Sequence, residues 1–300
     1  MKIKIVVTGG AGFIGSNLVS YLNNQKKPYH IIVIDNYSTG SRKNHVKSKK
    51  IHKIEYIKGQ TKNINDILKN EKNITSIFHF AEFSRIVQSF KDYDVCFDAN
   101  LVSTLEVVKF CSKNKIKIIY SASSSKFGNN GKDEHLSPYS WSKSKNIELI
   151  KNFSNWYGLK YEIVYFYNVY GPRQIKNHPM AAVIGIFEHQ YLEDLPLTVV
   201  KPGKQKRDFT HVSDVVRGTY LAWKKGFNEE YMLGTKKNYT LIEVAKLFKH
   251  KIKYIPKRIG ERFKSVIKDN KAQKLLNYYP KIKLKDYIRE FVRKNKKKNE

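Results

Sequence analysis

The sequence predicts an α/β fold, a doubly wound parallel sheet with a smaller α/β lobe on its C-terminal side. Three observations carry that expectation. Short apolar runs alternate with amphipathic stretches through the first half of the chain. A glycine-rich turn joins the first run to the first helical pattern. The strand–helix rhythm then changes after Gly171.

The elements follow in order. "KIKIVVTGG" is an apolar run ending in glycines and reads as a buried strand, and "FIGSNLVSYLNN" follows with apolar residues at helical spacing. "YHIIVIDN" is the second strand and "IEYIKG" the third; "NINDILKN" is a short helix and "ITSIFHFA" the fourth strand. "ANLVSTLEVVKFCSKN" is strongly periodic, and "IKIIYSASSS" is the fifth strand. From Tyr139 to Tyr157, Ile147, Ile150, Phe153, Ser154 and Tyr157 share one helical stripe, and "YEIVYFYNVYG" is the sixth strand. Beyond Gly171 the helical patterns "MAAVIGIFEHQYL", "SDVVRGTYLAWKK" and "TLIEVAKLFKH" are separated by short strands and loops. The expected division is 1–167 for the sheet domain and 168–292 mainly for the lobe, some segments returning to the sheet. A basic tail, 293–300, is expected to be frayed and solvated.

Bulk properties narrow the function classes. A chain of 300 residues with 41% hydrophobic residues can bury a large core. It has no apolar run of membrane-span length, and "MKIKIVVTGG" does not read as a signal peptide, so a cytoplasmic location with no membrane partner is expected. Cys96 and Cys111 make neither a disulfide framework nor a metal site and are expected to be small buried hydrophobes. The formal charge of +31 could mark a nucleic-acid surface. The lysines, however, are spread along the chain among abundant Asn and Ile, which reads as composition and implies no nucleic-acid partner.

"TGGAGFIG" stands between the first strand and the first helix. Gly10, Gly12 and Gly15 satisfy G-x-G-x-x-G, and Gly9, Gly12 and Gly15 a G-x-x-G-x-x-G variant. Glycines tighten such a turn and let a pyrophosphate approach the backbone and the helix N-terminus. Asp35 ends the second strand twenty residues past Gly15, where a carboxylate grips a ribose hydroxyl. An acid there disfavours a 2′-phosphate, so NAD is expected rather than NADP, although Arg42 and Lys43 stand close by in sequence. In "SPYSWSK", Tyr139 and Lys143 are four apart and share a face if the stretch opens a helix. A tyrosine with a cation beside it is a candidate base.

Together these motifs resemble the extended short-chain dehydrogenase/reductase family, in its nucleotide-sugar epimerase and dehydratase branch, over nearly the whole chain. "VTGGAGFIGSNLV" and "VIDNYSTG" match its cofactor-binding stretches, "IFHFA" the strand under the nicotinamide side, "SASSSKFG" the catalytic strand end and "SPYSWSK" the Tyr-x-x-x-Lys. "YFYNVYGPRQ" and "RDFTHVSDVV" match substrate-side signatures, and "RIGER" is a looser match to a later one. The motifs stand in family order. The resemblance implies a Rossmann-type domain binding NAD through Gly9, Gly12, Phe13, Ile14, Gly15, Asp35, Asn36, Ser38, Gly40, Ala81 and Asn100, with Tyr139 and Lys143. It also implies that Tyr139, as phenolate, removes a sugar hydroxyl proton. Lys143 lowers the phenol's pKa and holds the nicotinamide ribose, and Ser123 hydrogen-bonds the same sugar oxygen. Ser124 is the neighbouring register. Asn168, Arg207 and Arg258 align with residues that bind the substrate diphosphate. His79 and His211 are read as structural.

The sequence departs from the family in four places. The acid pair that dehydratases carry after the catalytic Ser/Thr is replaced by Ser124 and Ser125. Glu82 replaces a usual small residue after His-x-Ala; with Arg85 nearby it could face the sugar or form a local pair. Gln60 stands where an Asp often touches the adenine. The segment from Ser123 to Tyr139 is short. The expected reaction is NAD-dependent epimerisation of a nucleotide-diphosphate sugar at C4. A 4,6-dehydratase, a net C4 dehydrogenase or reductase, and a non-catalytic NAD-sensing or RNA-binding module are the competing readings. Family members often dimerise through two long helices, and the sequence leaves homodimer and monomer open.

Overall fold

Residues 2–260, 267 and 269–296 are described by a computed structural model, the side chains of 129, 130 and 132 excepted. The predicted strand runs form β1 (Ile3–Thr8), β2 (Tyr29–Asp35), β3 (Lys53–Lys58), β4 (Ile74–His79), β5 (Lys117–Ser123) and β6 (Tyr161–Phe166). Between them lie α1 (Phe13–Leu22), α2 (Ile64–Ile67), α3 (Ile86–Lys91), α4 (Tyr93–Phe97), α5 (Ser103–Lys113) and α6 (Pro138–Tyr157). The rest of the chain forms α7 (Val183–Leu192), β7 (Leu197–Val200), β8 (Lys206–Asp208), α8 (Val212–Lys225), β9 (Glu230–Leu233) and β10 (Asn238–Thr240). These are followed by α9 (Leu241–Leu247), β11 (Ile252–Ile255), α10 (Lys271–Leu276) and α11 (Leu284–Asn295).

β1 to β6 and β9 make one seven-stranded parallel sheet in the order β3-β2-β1-β4-β5-β6-β9. The chain winds outward from β1 in one direction and then from β4 in the other, so β1 and β4 flank the switch point where open α/β sheets bind ligands. Alternation along β1 shows why both faces need helices. Val6 packs with Val107, Val108 and Ile147, whereas Ile5 and Val7 pack with Leu18, Val19 and Val215. α5 and α6 thus cover one face, and α1 and α8 the other. Cys96 and Cys111 are buried, as expected of small hydrophobes.

Beyond Gly171, where some segments are expected to return to the sheet, α8 and β9 join it: α8 packs Val212, Val215 and Val216 on it and Trp223 Nε1 donates to Ser76 Oγ at 2.8 Å. Two other features differ from the sequence expectations. The helix before β5 begins earlier than its periodicity suggested, because a π-helical turn, Asp98–Val102, links α4 to α5 and resets the apolar stripe. The expected tail is helical through Asn295, since Ile288, Phe291 and Val292 pack onto a third apolar cluster with Phe187, Val244 and Phe248. Residues 297–300 of that tail, and Glu261 and Arg262 of "RIGER", lie outside the described residues. No helix among the described residues is long and apolar enough to cross a membrane.

Candidate active site

Glycines shape the first wall of the site. Gly9 has φ of +70°, and a Cβ there would stand 2.8 Å from Ala81 N. A Cβ on Gly15 would lie 2.2 Å from Gly9 O, so the turn closes on α1 only without a side chain. Gly12 caps α1 with no side-chain hydrogen bond, which leaves the helix's first N–H groups for a ligand's phosphate. Asp35 stitches this turn to β2: Ala11 N–H donates to its Oδ2 at 2.9 Å and Tyr37 N–H to its Oδ1 at 2.8 Å. Each carboxylate oxygen keeps lone-pair capacity for a hydroxyl donor. These features fit the adenosine-diphosphate half of a dinucleotide.

The wall belongs to a cleft of about 1030 Å³ at the C-terminal ends of the strands, bounded across from them by α7, β7 and β8. Its size suits a dinucleotide together with part of a second ligand. Gly9, Gly12, Phe13, Ile14, Gly15, Asp35, Asn36, Ser38, Gln60 and Ala81 line it, as do Ser123, Ser124, Tyr139, Lys143, Asn168, Arg207 and Arg258. Gly40 lines a smaller pocket beside it with Ser38 and packs on the Asp35 carboxylate, where a Cβ would come within 2.8 Å of Oδ1.

The catalytic-type residues sit on two neighbouring elements. Ser137 caps α6 by accepting from Ser140 N–H at 3.1 Å, and Pro138 occupies the first turn where its missing N–H costs nothing. Tyr139 and Lys143 therefore lie one turn apart and both line the cleft, and Ser89 Oγ accepts from Tyr139 N–H at 3.2 Å. Ser123 ends β5 and caps the following 3₁₀ turn; its Oγ accepts from Ser125 N–H at 3.2 Å and lies 3.0 Å from Ser125 Oγ. On the lobe side, Asn168 has φ of +33° and its Nδ2 donates to Asp208 O at 2.7 Å. Arg207 is 9% exposed, and alternation along β8 turns it away from Asp208, whose carboxylate accepts from Thr235 Oγ1 at 2.8 Å.

Two sequence assignments are placed elsewhere. Asn100 is fully buried and does not line the cleft. Its Oδ1 accepts from Phe83 N–H at 2.7 Å and its Nδ2 donates to Ser142 Oγ at 3.0 Å, so it clamps the 80–85 loop to α6. The π turn rotates it inward. Glu82 lines the cleft, but its carboxylate is folded below the floor, where its side chain is 3% exposed. There it pairs with the Lys143 ammonium, which also donates to Ser121 O. Tyr120 Oη donates to Glu82 at 2.8 Å and Asn146 Nδ2 at 3.2 Å. Sequence reading missed Tyr120 and Asn146. Asn146 could have been found by extending the Tyr139–Lys143 stripe one more turn along the helix. Glu82 does not pair with Arg85, whose Nη1 donates to Ser84 O at 2.7 Å and whose buried Nε has no partner among the described residues.

The histidines behave as structural groups. Burial holds His79 neutral, with its pKa down to about 4, between Thr8 Oγ1 at 2.8 Å and Thr104 Oγ1 at 3.0 Å. His211 caps α8, its Nδ1 accepting from Ser213 N–H at 3.2 Å.

The model of the NAD dependent epimerase/dehydratase family matches residues 5–234. A Methanocaldococcus jannaschii protein named "Putative UDP-glucose 4-epimerase" is 32% identical over 98% of this chain and 99% of its own. A solved UDP-glucose 4-epimerase from Thermotoga maritima, with UDP-glucose, is 29% identical with a TM-score of 0.89, covering 99% of this chain and 100% of that one. A UDP-N-acetylglucosamine 4-epimerase from Methanobrevibacter ruminantium, in complex with UDP-N-acetylmuramic acid, is 27% identical with a TM-score of 0.87 over 100% of both chains. The cleft's glycine turn, its Asp35 and its Tyr139–Lys143 pair accord with that match, and the chain belongs to the NAD-dependent epimerase/dehydratase family.

Proposed function

We propose that this protein inverts C4 of a nucleotide-diphosphate sugar, with NAD held through the cycle. The observation that carries the reading is that Ser123, Tyr139, Lys143, the glycine turn and Arg207 all face one cleft. When bound, NAD would supply reversible hydride transfer at C4 of the sugar. Gly9, Gly12 and Gly15 leave room for its pyrophosphate, and Asp35 accepts from the adenosine ribose hydroxyls. Tyr139 takes the proton of the sugar hydroxyl and later gives it back, while Ser123 donates to the same oxygen. Arg207 and Arg258 hold the substrate diphosphate, Arg207 with a planar fork of donors. The division of labour follows the fold: residues 1–167 hold the cofactor and the lobe within 168–292 supplies the diphosphate contacts.

Two observations weigh against elimination of water. Ser124 and Ser125 occupy the positions of a dehydratase's acid pair, and the Glu82 carboxylate, the spare acid, is committed below the floor. The names and ligands of the relatives, UDP-glucose and UDP-N-acetyl sugars among them, favour a UDP-sugar. The test is incubation with a panel of nucleotide sugars, with products read by NMR. A C4-inverted sugar is expected. A stable 4-keto-6-deoxy product, or stoichiometric release of NADH, would overturn the epimerase assignment.

A further inference from the structure

A buried carboxylate beside the residue expected to tune the base has a consequence for the chemistry. The Glu82–Lys143 pair is almost fully enclosed, with side chains 3% and 6% exposed. The carboxylate sits in a socket of donors. Besides Tyr120 and Asn146, Thr104 Oγ1 and Ser121 Oγ each donate at 3.4 Å. Asn146 is itself held by Asn100 O at 2.7 Å. The Lys143 ammonium rests 4.4 Å from the Tyr120 ring centroid. Such a socket is built for an anion, not for a side chain turned in by chance.

We propose that Glu82 is a positioning residue that neutralises Lys143 and thereby raises the pH at which Tyr139 becomes a base. The proposal rests on the reading of Tyr139 as base given above. A lone cation a helical turn away stabilises a phenolate, but a cation matched by a carboxylate at contact distance presents little net charge to its neighbours. The other ionisable groups packed round the pair do not replace it. His79 at the end of β4 is neutral, and Cys96 of α4 stays a thiol, its pKa pushed by burial to about 11. Tyr120 of β5 is held protonated by burial and by Glu82. Among the described residues, Arg85, at the start of α3, is a further cation that interacts with Tyr139. Burial pulls the Lys143 pKa down and Glu82 pulls it up, so the carboxylate also keeps the ammonium charged.

The experiment is the pH dependence of kcat/KM for the NAD-loaded wild type, Glu82→Gln and Tyr139→Phe, which reports the base in the enzyme before substrate binds. In parallel, ¹³Cζ-tyrosine-labelled protein gives the Tyr139 titration by NMR without turnover, its signal assigned by its absence in Tyr139→Phe. Wild-type kcat/KM is expected to be still rising between pH 7 and 9. In Glu82→Gln the acid limb and the Tyr139 signal should both move to lower pH by about 1 unit or more, and a move to higher pH, as loss of the Lys143 charge would give, overturns the proposal. A folded Glu82→Gln whose limb and signal coincide with wild type would reduce Glu82 to a structural role. If Glu82→Gln does not fold, the wild type alone decides: a Tyr139 signal already fully titrated at pH 7 overturns the proposal. Full activity in Tyr139→Phe would instead overturn the base assignment itself, a separate result.

Discussion

The two ends of the cleft are built on different principles. The nucleotide end is made of backbone: Gly9, Gly12 and Gly15 remove side chains, and Asp35 is tied by N–H groups from residues 11 and 37. The reacting end is made of side chains gathered from four separate stretches: Glu82, Tyr120 and Ser121, then Tyr139, Lys143 and Asn146, with Asn100 and Thr104 beneath. The first resists any added atom. The second tolerates isosteric changes but answers to every change of charge, because buried charges interact strongly where solvent does not screen them.

Four substitutions break or sharpen that contrast. The largest effect belongs to the reacting end: Tyr139→Phe should lower kcat by ~10²–10⁴-fold, measured at saturating substrate, with the melting temperature little changed. At the nucleotide end, Gly15→Ala should cost about 1–3 kcal/mol of stability in urea unfolding, because its Cβ would collide with Gly9 O, and the protein should elute without nucleotide. Asp35→Ala removes a charge-assisted acceptor and should weaken NAD roughly 10- to 100-fold by calorimetry, with kcat at saturating NAD largely kept. The fourth effect is one of pH and vanishes at neutral pH. His79 is held neutral by burial with its pKa near 4 against an ordinary 6.5, so the unfolded chain binds the extra proton between those values. Stability from this group is therefore full above pH 6.5 and falls by about 3 kcal/mol as pH drops toward 4. His79→Asn should flatten the fall of the urea midpoint across that window; an unchanged slope would show that other groups set it.

Six strands were legible because each is an apolar run closed by a turn signal, and the glycine turn was legible because its chemistry is local. β9 was not, since four residues carry little periodicity and their place at the sheet edge depends on α8 packing opposite α1. The family resemblance implies Asn100 for the cofactor site; its burial in the π turn before α5, against Phe83 N–H, is not legible in the motif. Glu82 was visible as an odd residue, though not its direction. A loop residue can face up into the cleft or down into the core, and only the donors beneath it decide.

By itself the sequence determined the parallel α/β plan, the dinucleotide turn with its carboxylate, and the Tyr139–Lys143 spacing. All of these depend on residues near one another in the chain, where backbone geometry fixes the outcome. Tertiary structure decided what Lys143 is paired with, which later elements, α8 and β9, return to the sheet, and that Asn168, Arg207 and Arg258 meet Tyr139 across one cleft. Those outcomes rest on contacts between residues tens to more than a hundred positions apart, such as Glu82 with Lys143 and Trp223 with Ser76, which no local pattern encodes.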